Sequence, residues 1–282
     1  MRREILSAMP FWIIFALLLE NYLNSPDYMR KFNNVVVSVH AHPDDTEAWN
    51  AGTLKHLKDK GYKIVIVTLT AGGMGGIGST EDKTIAIRRE EARKAAAVLG
   101  AEYICLGGRD GYLIDNVDFR LDVTRIIREY KAGIVMTHLP MDYHADHRAT
   151  CNIVEAATMV ATLPNVPVTE KPLEITPLLY HTAPLTLTDP IGAPIVPPHF
   201  FVDVTPVMDT KQQMLQYHES QKELMRVMHK MDDFFGVVYQ GNKDYGAMVG
   251  VEYAEVFWQH LGGGFQKDPV VQEELREFVK YK

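Results

Sequence analysis

From residue 32 onward, short apolar runs alternate with helical periods, and this alternation restricts the chain to one class of fold. Strand-like runs lie at 35–40, 63–69, 102–106 and 133–138, with helical segments at 46–60, 82–99, 118–130 and 147–161. Gly100 stands where a helix C-terminus favours glycine. Apolar strands separated by helices are βαβ units, which assemble into a mainly parallel sheet with helices on both faces and right-handed crossovers. The expectation is a Rossmann-like α/β domain over 32–282. The 282 residues can bury one large core.

Chemistry gathers where two of these strands end. His42-Pro43-Asp44-Asp45 follows Val35–Val39 and precedes a helix. About a hundred residues later, His144-Ala145-Asp146-His147 follows the strand around Ile134–Thr137 and precedes another helix. In open α/β sheets ligands bind at the carboxyl ends of strands. Imidazole and carboxylate are zinc ligands, and catalytic zinc uses three protein ligands. His42 and Asp45 can converge on one ion, with His147 as third ligand. Capping accounts for part of the pattern: Asp45 and Asp146 suit helix N-caps, and Asp44 suits a first turn. Capping does not account for three histidines at two strand ends. With a metal granted, Asp44 is free to accept a proton, and His144 with Asp146 can stabilise an oxyanion or protonate a leaving group. That combination hydrolyses acyl or phosphoryl bonds. Two histidines and a carboxylate also allow non-haem iron or another divalent metal.

The remaining stretches bound the partners. A net charge of −7 argues against nucleic acid or an anionic membrane surface. Cys105 and Cys151, the only cysteines, show no pairing framework and read as reduced and buried. Arg2 and Arg3 precede the apolar run Met9–Leu19, which is too short to span a bilayer. Residues 1–31 are expected to form a helical arm, with its helix over 3–23, packing on the domain or on a neighbouring subunit in a homo-oligomer. The cytoplasm is the default address, and the apolar run leaves secretion open. Ten of the fifteen prolines fall between Pro164 and Pro206. They exclude helix, so 163–206 is expected as an ordered excursion with short strands at Leu178–His181 and Phe200–Asp203. A helix from Thr205 to about His229 follows, with Met208, Met214, Leu215, Met225 and Met228 read as core.

Ala41-His42-Pro43-Asp44-Asp45 with His144-x-Asp146-His147 resembles the PIG-L/LmbE-like zinc N-deacetylases. The resemblance covers roughly residues 33–260 in motif order. It includes the run Gly61–Thr70, Arg88-Arg89-Glu90-Glu91-Ala92, Gly108-Arg109-Asp110-Gly111, Val202–Thr205, His218-x-Ser220-Gln221 and Tyr253-Ala254-Glu255. It implies strand order 3-2-1-4-5 and one zinc ion held by His42, Asp45 and His147. It also implies Asp44 as general base, His144 as oxyanion stabiliser oriented by Asp146, and substrate contacts from Arg88 and Asp110. The implied reaction releases acetate from an N-acetylated sugar or conjugate of the N-acetylglucosamine type. Many relatives carry proline where this chain has Ala145, and Tyr143 also departs from several.

Trp49, Tyr143 and Tyr112 are candidates for the pocket rim, with Trp49 alternatively a core residue, and the proline-rich segment is expected at one closed end, which favours a mono- or disaccharide. Gly73-x-Gly75-x-x-Gly78 formally matches a dinucleotide fingerprint, but no acid follows at the ribose position, and a loop bordering the pocket fits better. A non-catalytic sugar-binding module would have lost the base or a ligand, and none is missing.

Overall fold

A computed structural model describes residues 31–282, so the expected helix over 3–23 lies outside the described residues. The chain runs β1 (Val35–His40), α1 (Asp45–Trp49), α2 (Ala51–Asp59), β2 (Lys63–Thr70), α3 (Glu81–Val98) and β3 (Glu102–Gly108). It continues through α4 (Val117–Glu129), β4 (Ile134–His138), α5 (Ala145–Val160), β5 (Leu178–Thr182) and β6 (Phe200–Asp203). The last part is α6 (Met208–Gln216), α7 (Glu219–His229), α8 (Phe234–Val249), β7 (Ala254–Gln259), α9 (Val270–Glu274) and β8 (Val279–Lys280). All eight strands form one sheet in the order β3-β2-β1-β4-β5-β7-β6-β8.

The first five strands are parallel and stand in the expected order. Period-2 alternation assigns their two faces. Val36, Ile64, Ile66, Ile134 and Met136 pack toward Leu54 and Leu57 of α2 and Ala95 of α3. Val37, Val39, Val65, Val67 and Val135 pack toward Ile126 and Ile127 of α4 and Val154 of α5. Burial on both faces is why these strands read as continuous apolar runs.

Beyond β5 the sheet is antiparallel, which the strand pattern does not anticipate. Two strands are not among those expected, the short edge strand β8 and β7, which inserts between β5 and β6. Its sequence carries Glu255 and Gln259, yet all six residues are buried. Glu255 is tolerated there because its carboxylate is fully satisfied. It accepts from Gly52 N at 3.0 Å, Thr53 N at 2.8 Å, Thr53 Oγ1 at 2.7 Å and Lys211 Nζ at 2.6 Å.

The same ion pair explains why the segment 46–60 is two helices rather than one. α1 stops at Asn50, whose Nδ2 donates to Ser38 Oγ at 3.0 Å. Each helix end leaves backbone groups without intrahelical partners. Lys211, itself fully buried, donates to Ala48 O at 2.7 Å, while Glu255 accepts the first amides of α2. A second break divides the expected helix over 205–229 into a short 3-10 turn at Thr205–Val207, then α6 and α7. Met208, Met214 and Leu215 are core, and Met225 packs partly against it. Met228 is exposed instead, because the second helix presents only one apolar side. Among the described residues no helix is long and apolar enough to cross a membrane.

Replacing Lys211 by Met leaves the Glu255 carboxylate buried with amide and hydroxyl donors but no counter-charge. Breaking such a pair from one side costs ~3–5 kcal/mol. Urea unfolding of Lys211→Met should therefore show an unfolding free energy lowered by that amount, and an unchanged value would remove the ion pair from this role.

Candidate active site

The chain builds β1, β2 and β3 outward on one side and then returns to place β4 against the other side of β1. Helices and loops leaving β1 and β4 therefore diverge, opening a crevice at the carboxyl ends of these two strands. The turn leaving β1 is tight. Asp44 takes φ 99°, a left-handed conformation that non-glycine residues rarely adopt. Two bonds hold it: His42 N donates to Asp45 Oδ2 at 2.8 Å, and Arg88 Nη2 donates to Pro43 O at 2.8 Å. Arg88 Nη1 also donates to Gly72 O at 3.0 Å, and a Cβ on Gly72 would overlap that guanidinium.

The buried Asp45 carboxylate is the meeting point. His42 Nδ1 and His138 Nε2 both lie 3.4 Å from Oδ2, and His147 Nε2 lies 3.4 Å from Oδ1. These separations are long for charge-assisted hydrogen bonds, which run ~2.7–2.9 Å. Each is near the ~3.3–3.4 Å between two donors ~2.0–2.1 Å from a shared ion, with His42 and His138 on one carboxylate oxygen and His147 on the other. Of the three imidazoles, His138 is otherwise engaged, since its Nε2 accepts the amide of Ala41 at 2.9 Å. Among the described residues Asp45, His138 and His147 offer ligand atoms within 4.8 Å of one another, as do His42, His144 and His147, and such histidine–carboxylate groups suit a divalent metal ion. The ring centroids of His42 and His147 stand 5.3 Å apart.

The outward-facing nitrogens of both histidines meet carboxylates. His147 Nδ1 lies 3.0 Å from Asp142 Oδ1, and His42 Nε2 lies 3.2 Å from both Asp110 Oδ1 and Asp146 Oδ2. These carboxylates are anchored in turn: Asp142 accepts from His144 N, Asp110 from Met74 N, and Asp146 from Gly111 N and Leu113 N. Carboxylates behind metal-binding imidazoles fix ring orientation and raise ligand basicity.

The electrostatics agree with such a site. Burial pushes the His42 imidazole down, yet Asp110, Asp146 and Asp45 outweigh it and hold it well above its usual range. His147 is likewise lowered by burial but raised on balance to about 9 by Asp45 and Asp142. Burial raises Asp45, and the facing imidazoles of His147 and His138 overcome it and hold the carboxyl well below its usual range. A pocket that draws protons onto two buried histidines lacks positive charge, and a divalent cation supplies it. Asp44 differs. Burial pushes its carboxyl up to about 6, against the opposing pull of Arg88, whose Nη2 is 3.8 Å away.

These groups open on a cavity of about 370 Å³. Asp44, Arg88, Tyr143 and His144 are polar or aromatic parts of its wall, while Leu185, Leu224, Met225 and Phe234 form an apolar side.

The family model described as GlcNAc-PI de-N-acetylase, PIG-L, matches residues 37–158. A diacetylchitobiose deacetylase from Thermococcus kodakarensis is 32% identical over 198 residues, 67% of this chain and 72% of that protein. The chain belongs to the PIG-L family, a family of deacetylases. A probable N-acetyl-alpha-D-glucosaminyl L-malate deacetylase 2 from Bacillus anthracis is 29% identical over 195 residues, 66% of this chain and 80% of that protein. The solved N,N'-diacetylchitobiose deacetylase from Pyrococcus horikoshii superposes with a TM-score of 0.72 at 25% identity, covering 93% of this chain and 97% of that one.

Within this PIG-L chain, the structure brings His42, Asp44, Asp45, His144 and His147 together around the cavity. It pairs Asp146 differently from the expectation. The Asp146 carboxylate faces His42, and its link to His144 is the backbone amide, which donates to His144 Nδ1 at 3.2 Å. His144 thereby caps α5, and neither Asp45 nor Asp146 serves as an N-cap. Asp110 borders the cavity but is committed to His42 and Met74. Trp49 is both cavity wall and core, packed with Phe234 and Phe235. Tyr143 is half-exposed with its ring edge-on to those of His144 and His147. Tyr112 stays outside, exposed beneath the Arg109 guanidinium. The glycine-rich loop contains a 3-10 turn at Gly73–Gly75 that meets the cavity edge, and α3 begins only at Glu81.

His138 and Asp142 were not singled out from the sequence. A histidine closing a buried strand and a carboxylate five residues before His147 were the available signals. Asp142→Ala should weaken divalent-metal affinity ~10–100-fold without unfolding the protein. Metal titration followed by calorimetry checks this, and unaltered affinity would mean that Asp142 does not support His147.

Proposed function

We propose that this chain is a zinc-dependent N-deacetylase that releases acetate from a short N-acetylated sugar or sugar conjugate of the N-acetylglucosamine type. The observation that carries the reading is the position of Asp44. Its carboxylate is buried at the cavity wall, next in sequence to Asp45 yet outside the His42–Asp45–His147 cluster. In this reading His42, Asp45 and His147 hold one zinc ion per chain. When bound, a divalent ion supplies Lewis acidity, polarising an amide carbonyl and easing loss of a proton from water.

The chain's own groups then divide the work. Asp44 accepts the proton of the attacking water as its oxygen adds to the acetyl carbon. Burial suits the carboxylate to this task by raising its proton affinity toward neutrality. Arg88 holds the turn that aims Asp44 and lies behind its carboxylate. His144 borders the cavity beside His42 and His147 and faces the charge that develops on the acetyl oxygen. The C–N bond breaks as the nitrogen takes up a proton, giving acetate and a free amine. Asp146 and Asp142 act as positioning residues for His42 and His147.

The wall composition supports a small substrate. About 370 Å³ is near the lower end of the ~300–1,000 Å³ of small-molecule sites. Leu185, contributed by the proline-rich segment, and Leu224 and Met225 of α7 all belong to the cavity's apolar lining. The diacetylchitobiose and N-acetylglucosaminyl conjugate deacetylases among the relatives act on compounds of this kind by their names.

His147→Ala should lose its zinc, read by elemental analysis. Asp44→Asn should keep the metal and lose ~10²–10⁴-fold in kcat. Parental turnover in Asp44→Asn would remove the base assignment. Across N-acetylglucosamine, its β-linked dimer, an N-acetylglucosaminyl conjugate and chitin, acetate release should favour the small compounds. Preference for the polymer would contradict the small closed cavity, and activity confined to acetylated peptides would contradict the sugar assignment.

A further inference from the structure

A second group of metal-binding side chains lies outside the cavity. Cys151 and Glu155 are one turn apart on α5, one and two turns beyond His147. Opposite them stand His181 of β5 and His260, which follows β7. Cys151 Sγ is 3.7 Å from Glu155 Oε1 and 3.8 Å from His181 Nδ1, and Cys151, Glu155 and His181 each offer a ligand atom within 4.8 Å of the others. Glu155 Oε1 is 3.7 Å from His181 Nε2 and 3.5 Å from His260 Nδ1. His181 Nε2 and His260 Nδ1 are 3.0 Å apart.

The hydrogen bonds assign the tautomers. His181 Nδ1 lies 2.8 Å from the His138 carbonyl, which can only accept, so Nδ1 carries the proton. His181 Nε2 therefore offers its lone pair toward Glu155 and His260, and His260 Nδ1 donates to it. Thiolate, carboxylate and two imidazoles are zinc ligands, and donors ~2.0–2.3 Å from a tetrahedral zinc stand about 3.3–3.6 Å apart. We propose that Cys151, Glu155, His181 and His260 form a second divalent-cation site, suited to zinc, that ties α5 to β5 and the end of β7.

Three features favour a cation site over a nucleophile or a chance cluster. The thiol is fully buried, away from dissolved electrophiles, and faces the other three groups. His181 presents an unprotonated Nε2, as a ligand must, because its Nδ1 proton goes to the His138 carbonyl. His260 and Glu155 are only partly buried, which gives the cation a path from solvent. On binding, the cation replaces the thiol proton, which leaves to solvent. His260 loses its Nδ1 proton and takes one at Nε2, turning the Nδ1 lone pair inward. The site is one residue from the first: His181 holds the His138 carbonyl, and the His138 ring stacks on His147 at 3.9 Å.

Cadmium titration of the metal-free, full-length protein tests this directly, because thiolate–cadmium charge transfer absorbs in the ultraviolet. The expected result is two equivalents bound, one of them producing the thiolate band. Cys151→Ala should bind one equivalent without the band. His260→Ala, at a partly exposed position that should not disturb folding, should weaken the thiolate equivalent by at least the ~10–100-fold typical of losing a supporting ligand contact. No thiolate band in the parent protein would overturn the proposal, and so would a band unchanged in His260→Ala or surviving in Cys151→Ala. With every variant carried in a Cys105→Ala background the band reports Cys151 alone, so the outcome is independent of whether the cavity site binds zinc or hydrolyses amides.

Discussion

The arrangement at the carboxyl end of the sheet depends on a single buried carboxylate. Asp45 sits among three imidazoles, and burying an ionised carboxylate without compensation would cost several kcal/mol. His147, held by Asp142, and the backbone amide of His42 supply much of that compensation. The excess of carboxylates around the two raised histidines leaves a site whose charge is balanced only by protons or by a cation. The metal-binding character therefore belongs to the assembly of groups and not to any one of them.

Rigidity in this region comes from pairs that lie away from the chemistry. The left-handed turn at Asp44 persists because Arg88 clamps Pro43 and Gly72. The break between α1 and α2 persists because Lys211 and Glu255 satisfy the helix ends it creates. Each device uses a buried charge whose hydrogen-bonding capacity is largely taken up by backbone groups. Such networks favour one geometry, since partial satisfaction would be worse than an apolar core. A site that must hold donors at fixed separations benefits from that selectivity.

Family membership and local geometry carry different parts of the functional reading. Membership in the PIG-L family fixes the reaction class of the relatives, whereas the pairing of residues is specific to the folded chain. Asp146 turns to His42 and not to His144, and Asp110 is held by His42 and Met74. Both carboxylates are thus engaged with His42, while Asp44, His144 and Tyr143 are among the groups that line the cavity.

The sequence by itself determined the parallel core and the address of the site. Apolar runs with helical periods between them leave few alternatives to βαβ units, and a histidine–carboxylate cluster beyond each of two such strands places chemistry at their ends. It also located β5 and β6 within the proline-rich segment, because those runs are short, apolar and free of proline. Only tertiary structure decided the rest. β7 was hidden by Glu255, whose burial is acceptable only because Lys211 arrives from 44 residues away. The helix break at Asn50 is announced locally only by Asn50 and Gly52, and the groups that satisfy its ends belong to the same distant pair. The grouping of Cys151 with His260 joins α5 to the strand-end beyond β7, a proximity no local pattern encodes. Periodicity reports what a residue's neighbours in sequence require, and charge burial depends on partners that only folding supplies.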